Sequence, residues 1–137
     1  MISIVDDDES VRDSAKTLLR SAGYEVQAFA SADELLNSGS LEETECLILD
    51  VQMPATDGLE LHRRVRAEGY RIPAIFITAY GDDLLRRRAV EGGALEMLHK
   101  PFHAGVFLAT VERALSEGRS SRHLARKRLR ELAEPSL

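Results

Sequence analysis

The sequence predicts an α/β fold, a doubly wound, five-stranded parallel sheet with helices on both faces. Short apolar strand patterns alternate with helical patterns five times, the signature of repeated βα units. Two of the strand segments, 45–50 and 74–78, read as continuous apolar runs up to their polar ends, as strands covered on both faces do. Polar side chains stand where four of the strands run out: Asp6-Asp7, Asp50, Thr78 and Lys100.

Strands are expected near 2–6, 24–29, 45–50, 74–78 and 94–98. The first helix, about 9–21, places Val11, Ala15, Leu18, Leu19 and Ala22 on one stripe, and Gly23 stops it. Ser31 reads as the N-cap of a short second helix, with Glu34 three residues on completing a capping box. Leu59, Leu61 and Val65 give the third helix a partial apolar face, after the turn or cap chemistry of Asp57-Gly58. The fourth, about 82–91, carries Arg86-Arg87-Arg88 beside only Leu84, Leu85, Ala89 and Val90, so its attachment is expected to be shallow. A fifth helix begins after His103, with Val106, Phe107, Thr110, Val111, Ala114 and Leu115 at helical spacing. Glu117-Gly118 ends or weakens it, and from Ser121 a second, basic helical stretch carries Leu124, Leu129 and Leu132. The chain therefore divides into a domain over 1–118 and a basic helical linker or tail over 119–137.

The 137 residues suffice for one domain with a real core, and 44% hydrophobic and 30% charged residues are ordinary for a globular chain. No apolar run approaches the roughly 18 residues a membrane-spanning helix needs, which argues against membrane insertion. The N-terminus enters a strand directly, without a signal-peptide pattern. The lone Cys46 excludes an internal disulfide framework, fits a reducing, cytoplasmic setting, and reads as a small buried residue. His62, His99, His103 and His123 show no ligand spacing with Cys or carboxylates, so they read as surface histidines rather than a transition-metal site. The net charge of −5 hides an asymmetry: residues 1–118 carry 12 basic and 21 acidic side chains, and residues 119–137 carry 6 and 2.

In an open parallel sheet, ligands bind in the crevice beyond the carboxyl ends of the strands. The polar strand ends thus converge three carboxylates, a hydroxyl and an ammonium on one pocket. Mg²⁺ takes octahedral oxygen ligands, commonly one or two carboxylates with waters and phosphate oxygens. Asp7 and Asp50 can supply the carboxylates, and the backbone carbonyl of Gln52 a further oxygen. Two unpaired carboxylates about 4 Å apart repel by about 1 kcal/mol even at the dielectric of water, so the cluster is most simply explained by a cation. Lys100 offers a fixed positive charge, first to Asp50 and then to a phosphoryl oxygen, and Thr78 a hydroxyl donor. A carboxylate nucleophile forming an aspartyl phosphate is established chemistry, completed by positioning and charge neutralisation. Singly, an Asp after a strand is often a helix cap, Thr favours strands, and Lys is usually a solvated charge. Jointly, at the ends of the right strands, those bland readings fail.

The segments Val5-Asp6-Asp7-Asp8-Glu9, Leu49-Asp50-Val51-Gln52-Met53-Pro54 with Asp57-Gly58, Ile77-Thr78-Ala79, and Lys100-Pro101-Phe102 resemble the receiver domain of two-component response regulators. The resemblance covers residues 1 to about 118. Arg71 to Asp82 is most similar to the FixJ-like branch, LuxR-type transcriptional regulators whose members carry a C-terminal helix-turn-helix. The resemblance implies a flavodoxin-like strand order, 2-1-3-4-5. It implies that Asp50 is the phosphoacceptor, served by the phosphohistidine of a sensor histidine kinase, and that Asp6 and Asp7 hold Mg²⁺. It assigns Thr78 and Lys100 to the phosphoryl oxygens, makes Lys100-Pro101 a cis peptide, and suggests homodimerisation through the fourth helix, fifth strand and fifth helix. One position departs: three residues before the lysine, where the family usually has Tyr or Phe, stands Met97, which lacks a rigid two-state ring. Tyr80 is another aromatic near the pocket.

A Mg²⁺-dependent phosphohydrolase also uses an Asp nucleophile, but it needs a second Asp two residues on, where this chain has Gln52. The chain is therefore read as a switch that catalyses only its own phosphorylation and dephosphorylation. The basic tail lacks the interleaved aromatics of a stacking surface and is one helix, not a helix-turn-helix. DNA contact is expected only through an absent effector domain, with a stand-alone receiver acting by protein contact or phosphorelay as the alternative.

Overall fold

The computed structural model describes the backbone of residues 1–133 and the side chains of residues 1–118. The side chains of the basic tail, His123 among them, lie outside the described residues. Five strands, β1 (Ile2–Val5), β2 (Val26–Phe29), β3 (Cys46–Asp50), β4 (Ala74–Thr78) and β5 (Glu96–His99), form one parallel sheet in the order β2-β1-β3-β4-β5. Five α-helices alternate with them: α1 (Glu9–Ser21), α2 (Ala32–Asn37), α3 (Gly58–Ala67), α4 (Asp83–Glu91) and α5 (Ala104–Ala133). This is the doubly wound sheet the sequence predicts, in the 2-1-3-4-5 order that the resemblance implies.

The period-two alternation of strand side chains separates two cores. Ile2, Ile4, Cys46, Ile48, Ile75 and Ile77 face α1 and α5, where Leu19, Phe107, Val111 and Ala114 close the layer. Val5, Leu47, Leu49, Phe76 and Met97 face α2, α3 and α4, meeting Leu35, Leu61, Val65 and Ala89. Every residue of β3 and β4 is buried, as their unbroken apolar runs require.

Most helix punctuation follows the sequence. Asp8 caps α1, its carboxylate accepting from the Ser10 and Val11 amides, and Gly23 follows the helix at φ +92°. Ser31 accepts from the Glu34 amide while Glu34 Oε2 accepts from the Ala30 amide, and Asp57 accepts from the Glu60 amide at the start of α3. Lys100–Pro101 is cis. α4 buries only Ala89 and leaves Leu84 and Val90 exposed.

Five expectations need correction. His62 is not a surface residue: it is buried on α3, its ring edge-on to Phe76 with centroids 5.5 Å apart, because Gly58, Leu61, His62 and Val65 share one stripe. Burial pushes its imidazole down to about 4, so the ring is neutral. Ala22 is exposed, the inward stripe of α1 having ended at Leu19. β5 begins at Glu96 rather than 94, because Ala94 still donates its amide to Ala89 O at the end of α4. β2 begins at Val26 rather than 24, because Tyr24 still donates to Leu19 O. α5 runs unbroken through Gly118, which sits against Pro73 with no room to spare.

Candidate functional site

Sheet register gathers the polar strand ends at one edge. Val5 pairs with Leu49, so Asp6 and Asp50 follow side by side; Asp50 pairs with Ile77, so Thr78 stands one residue beyond. Thr78 pairs with His99, and the Lys100 amide that follows donates to Thr78 O at 2.8 Å. A close approach fixes the far side: a Cβ on Gly58 would lie 2.3 Å from the Asp50 carbonyl oxygen, so only glycine lets α3 start directly behind the end of β3.

Asp6, Asp7 and Asp50 each bring a carboxylate oxygen within 4.8 Å of the others. Asp6 is fully buried, Asp50 nearly so, and Asp7 is exposed. Lys100 Nζ lies 2.8 Å from Asp6 Oδ2 and 3.5 Å from Asp50 Oδ2. Asp6 Oδ1 accepts from the Asp8 amide at 2.9 Å. Among the described residues, no donor meets the buried Asp6 Oδ2 at hydrogen-bonding angles, so the ammonium serves it by charge alone. Three carboxylates, of which only Asp6 and Asp50 share the one lysine, are a donor set suited to a divalent oxygen-loving cation.

The electrostatics match that surplus of negative charge. Burial, followed by the charge of Asp6, pushes Asp50 up to about 7, with Lys100 acting in the opposite direction. Burial opposes the charge on Lys100, but the Asp6 and Asp50 carboxylates hold its ammonium above the usual lysine range. Asp8, held below the usual carboxylate range chiefly by the Ser10 hydroxyl, serves as the cap of α1.

The residues expected at the pocket therefore do meet there, with two additions. The sequence offered Gln52 only as a backbone carbonyl; its side-chain Oε1 accepts the Thr78 hydroxyl at 2.6 Å, and its amide donates to Asp50 Oδ1 at 3.3 Å. The Thr78 hydroxyl in turn accepts from the Tyr80 amide at 3.2 Å, while the Tyr80 ring is 82% exposed and takes no part in the pocket. Arg12 also escaped the sequence reading; its guanidinium donates to Asp6 O at 2.6 Å. Met97 is buried in the layer beneath α4. Arg86 is more than a solvated charge, since it pairs with Glu96 at 2.6 Å, and Arg113 reaches the same carboxylate at 3.4 Å.

Comparison with known proteins places these residues in a wider context. A family model, the response regulator receiver domain, matches residues 2–112. Nodulation protein W of Bradyrhizobium diazoefficiens is 40% identical over 126 residues, 92% of this chain and 56% of that protein. Response regulator protein TodT of Pseudomonas putida is 38% identical over 115 residues, 84% of this chain and 51% of that one. The solved structure of response regulator StyR matches with TM-score 0.85 at 40% identity, covering 96% of this chain and 66% of that chain. The crystal structure of FixJ-N matches with TM-score 0.75 at 33% identity, covering 84% and 92%. The chain spans about half the length of the curated relatives it matches.

Proposed function

Because the chain belongs to the response regulator receiver family, we propose that Asp50 accepts a phosphoryl group from a sensor histidine kinase and that the domain is a phosphorylation-controlled switch. The observation that carries this reading is the placement of Asp50 at the end of β3, against Lys100 and beside the Asp6 and Asp7 carboxylates. An ionised Asp50 oxygen attacks phosphorus and forms the new P–O bond. The P–N bond to the kinase imidazole breaks, and its electron pair stays on the ring nitrogen. Lys100 moves its charge from the carboxylates toward the phosphoryl oxygens, and the Thr78 hydroxyl donates to one of them. Asp6, Asp7, Asp50 and the carbonyl of Gln52 would hold Mg²⁺, which when bound supplies neutralising charge for the phosphoryl oxygens. The domain thus catalyses only its own phosphorylation and dephosphorylation, and Gln52 leaves no acid/base carboxylate for outside substrates.

Output follows from what Thr78 and Lys100 are attached to. Both stand at strand ends next to α4, β5 and α5, where Leu84, Val90 and Val106 are exposed. Phosphorylation is proposed to shift α4 and promote homodimerisation through α4, β5 and α5. Residues 1–118 form the receiver and 119–137 a linker toward a DNA-binding effector domain. Among the described residues no helix is long and apolar enough to cross a membrane, consistent with a cytoplasmic regulator of transcription. Incubation with Mg²⁺ and acetyl phosphate, followed by mass spectrometry, should label Asp50 alone. Undiminished labelling of Asp50→Asn rules the assignment out.

A further inference from the structure

We propose that the Gln52 side chain is a latch on Thr78, part of a hydrogen-bonded relay from Asp50 to the β4–α4 turn that sets how readily the switch is thrown. The inference rests on Asp50 being the acceptor. The relay is continuous: the Gln52 amide donates to Asp50 Oδ1, the Thr78 hydroxyl donates to Gln52 Oε1, and the Tyr80 amide donates to Thr78 Oγ1. One residue thus reads the acceptor through its main chain and Thr78 through its side chain.

A threonine hydroxyl has one proton. While that proton is given to Gln52 it cannot be given to a phosphoryl oxygen, so activation has to break the latch first. Thr78 is fully buried, whereas Gln52 is exposed. The released Gln52 carbonyl can turn to water, so parting leaves no stranded acceptor. The hydroxyl exchanges a neutral acceptor for a charged one, which binds it more strongly. The latch therefore opposes activation without preventing it. The cleft beside Gln52 also takes in Met53, Leu85 and Arg88, so a freed Gln52 faces α4, the helix with the thinnest attachment. With Met97 in place of a ring, this polar relay gives the pocket its connection to α4.

Gln52→Met keeps the length of the side chain and the backbone carbonyl but removes the acceptor. In the full chain, titrated with beryllofluoride in the presence of Mg²⁺, Gln52→Met should bind the mimic about fivefold to tenfold more tightly, the ratio expected for one lost neutral hydrogen bond. In the unmodified, metal-free protein the same substitution should move the Thr78 and Tyr80 amide resonances toward their mimic-bound positions. Adding Thr78→Val should abolish the difference in affinity. A gain under about twofold, a loss, a gain that survives in the Thr78→Val background, or unmoved amides each overturn the latch. Wild-type protein that fails to bind the mimic overturns the acceptor reading and this inference with it; normal wild-type binding with a neutral Gln52→Met overturns the latch alone.

Discussion

The nucleophilic role proposed for Asp50 requires an ionised carboxylate, and here the pocket resists that. Burial and the neighbouring Asp6 raise Asp50 to about 7 from an ordinary 3.8. A raised folded-state pKa contributes stability that is fully present below the unfolded value and lost as pH rises through the folded one. In metal-free protein, Asp50→Asn should therefore be nearly neutral to stability near pH 4 and increasingly stabilising up to about pH 7. Denaturant melts of both proteins across that range check this; a pH-independent difference contradicts it. Asp7→Ala should weaken Mg²⁺ binding by about tenfold or more, equivalent to about 1.4 kcal/mol, as read by titration. Gly58→Ala would drive a methyl into the Asp50 carbonyl, a backbone atom that cannot swing aside, and should destabilise by about 1–3 kcal/mol in a chemical melt. The proposed acceptor Asp50, with Lys100 and Thr78, was legible as residue types at strand ends. The Gln52–Thr78 bond was not, because it depends on which way a loop side chain turns, and no periodicity records that. His62 did leave a signal, its place in the 58, 61, 62, 65 stripe, which its polar chemistry obscured.

Strand and helix identities were the easiest part of the chain to read, since β3 and β4 are apolar up to their last residues and the caps at Ser31 and Asp57 are local chemistry. Contacts between elements were harder. Nothing in the sequence pattern pairs the Arg86-Arg87-Arg88 run with another element, yet Glu96 on β5 joins Arg86 of α4 to Arg113 of α5. These partners are distant in sequence, and only the fold brings them together. Burial opposes the charge on Glu96, but the Met97 amide and Arg86 outweigh it and hold the carboxyl below its usual range. Both arginines are about half exposed, at 53% and 51%, so Glu96→Gln should lower global stability by no more than about 1 kcal/mol. Its larger effect should be on α4 itself, with only Ala89 buried beneath it. Hydrogen exchange of the α4 amides should quicken in Glu96→Gln while that of β3 stays unchanged; equal protection in both proteins would mean the tether does not hold the helix.

For the whole molecule, the sheet separates jobs by end: the strands' carboxyl ends carry the charged pocket, while the Met1 ammonium and Glu45 pair at the other end, 2.9 Å apart. Sedimentation with and without beryllofluoride should show a larger dimer fraction with the mimic, and an unchanged fraction would remove dimerisation from the proposed output. The two-layer core was readable because alternation and helix stripes are repeated many times over the chain, whereas the strand order came only from the resemblance to receiver domains. The continuity of α5 was not, since Glu117-Gly118 reads equally as a stop or as a weak link, and the packing of Gly118 against Pro73 is long-range. That continuity makes α5 a lever. At about 1.5 Å per residue its 30 residues reach about 45 Å, and its fulcrum lies just beyond Lys100-Pro101-Phe102. A tilt of about 5° about that point, which Phe107, Val111, Ala114 and Gly118 must accommodate by sliding on the core, sweeps the last turn through about 4 Å. Pocket rearrangements of a few tenths of an ångström can then be felt, enlarged, at the far end of α5.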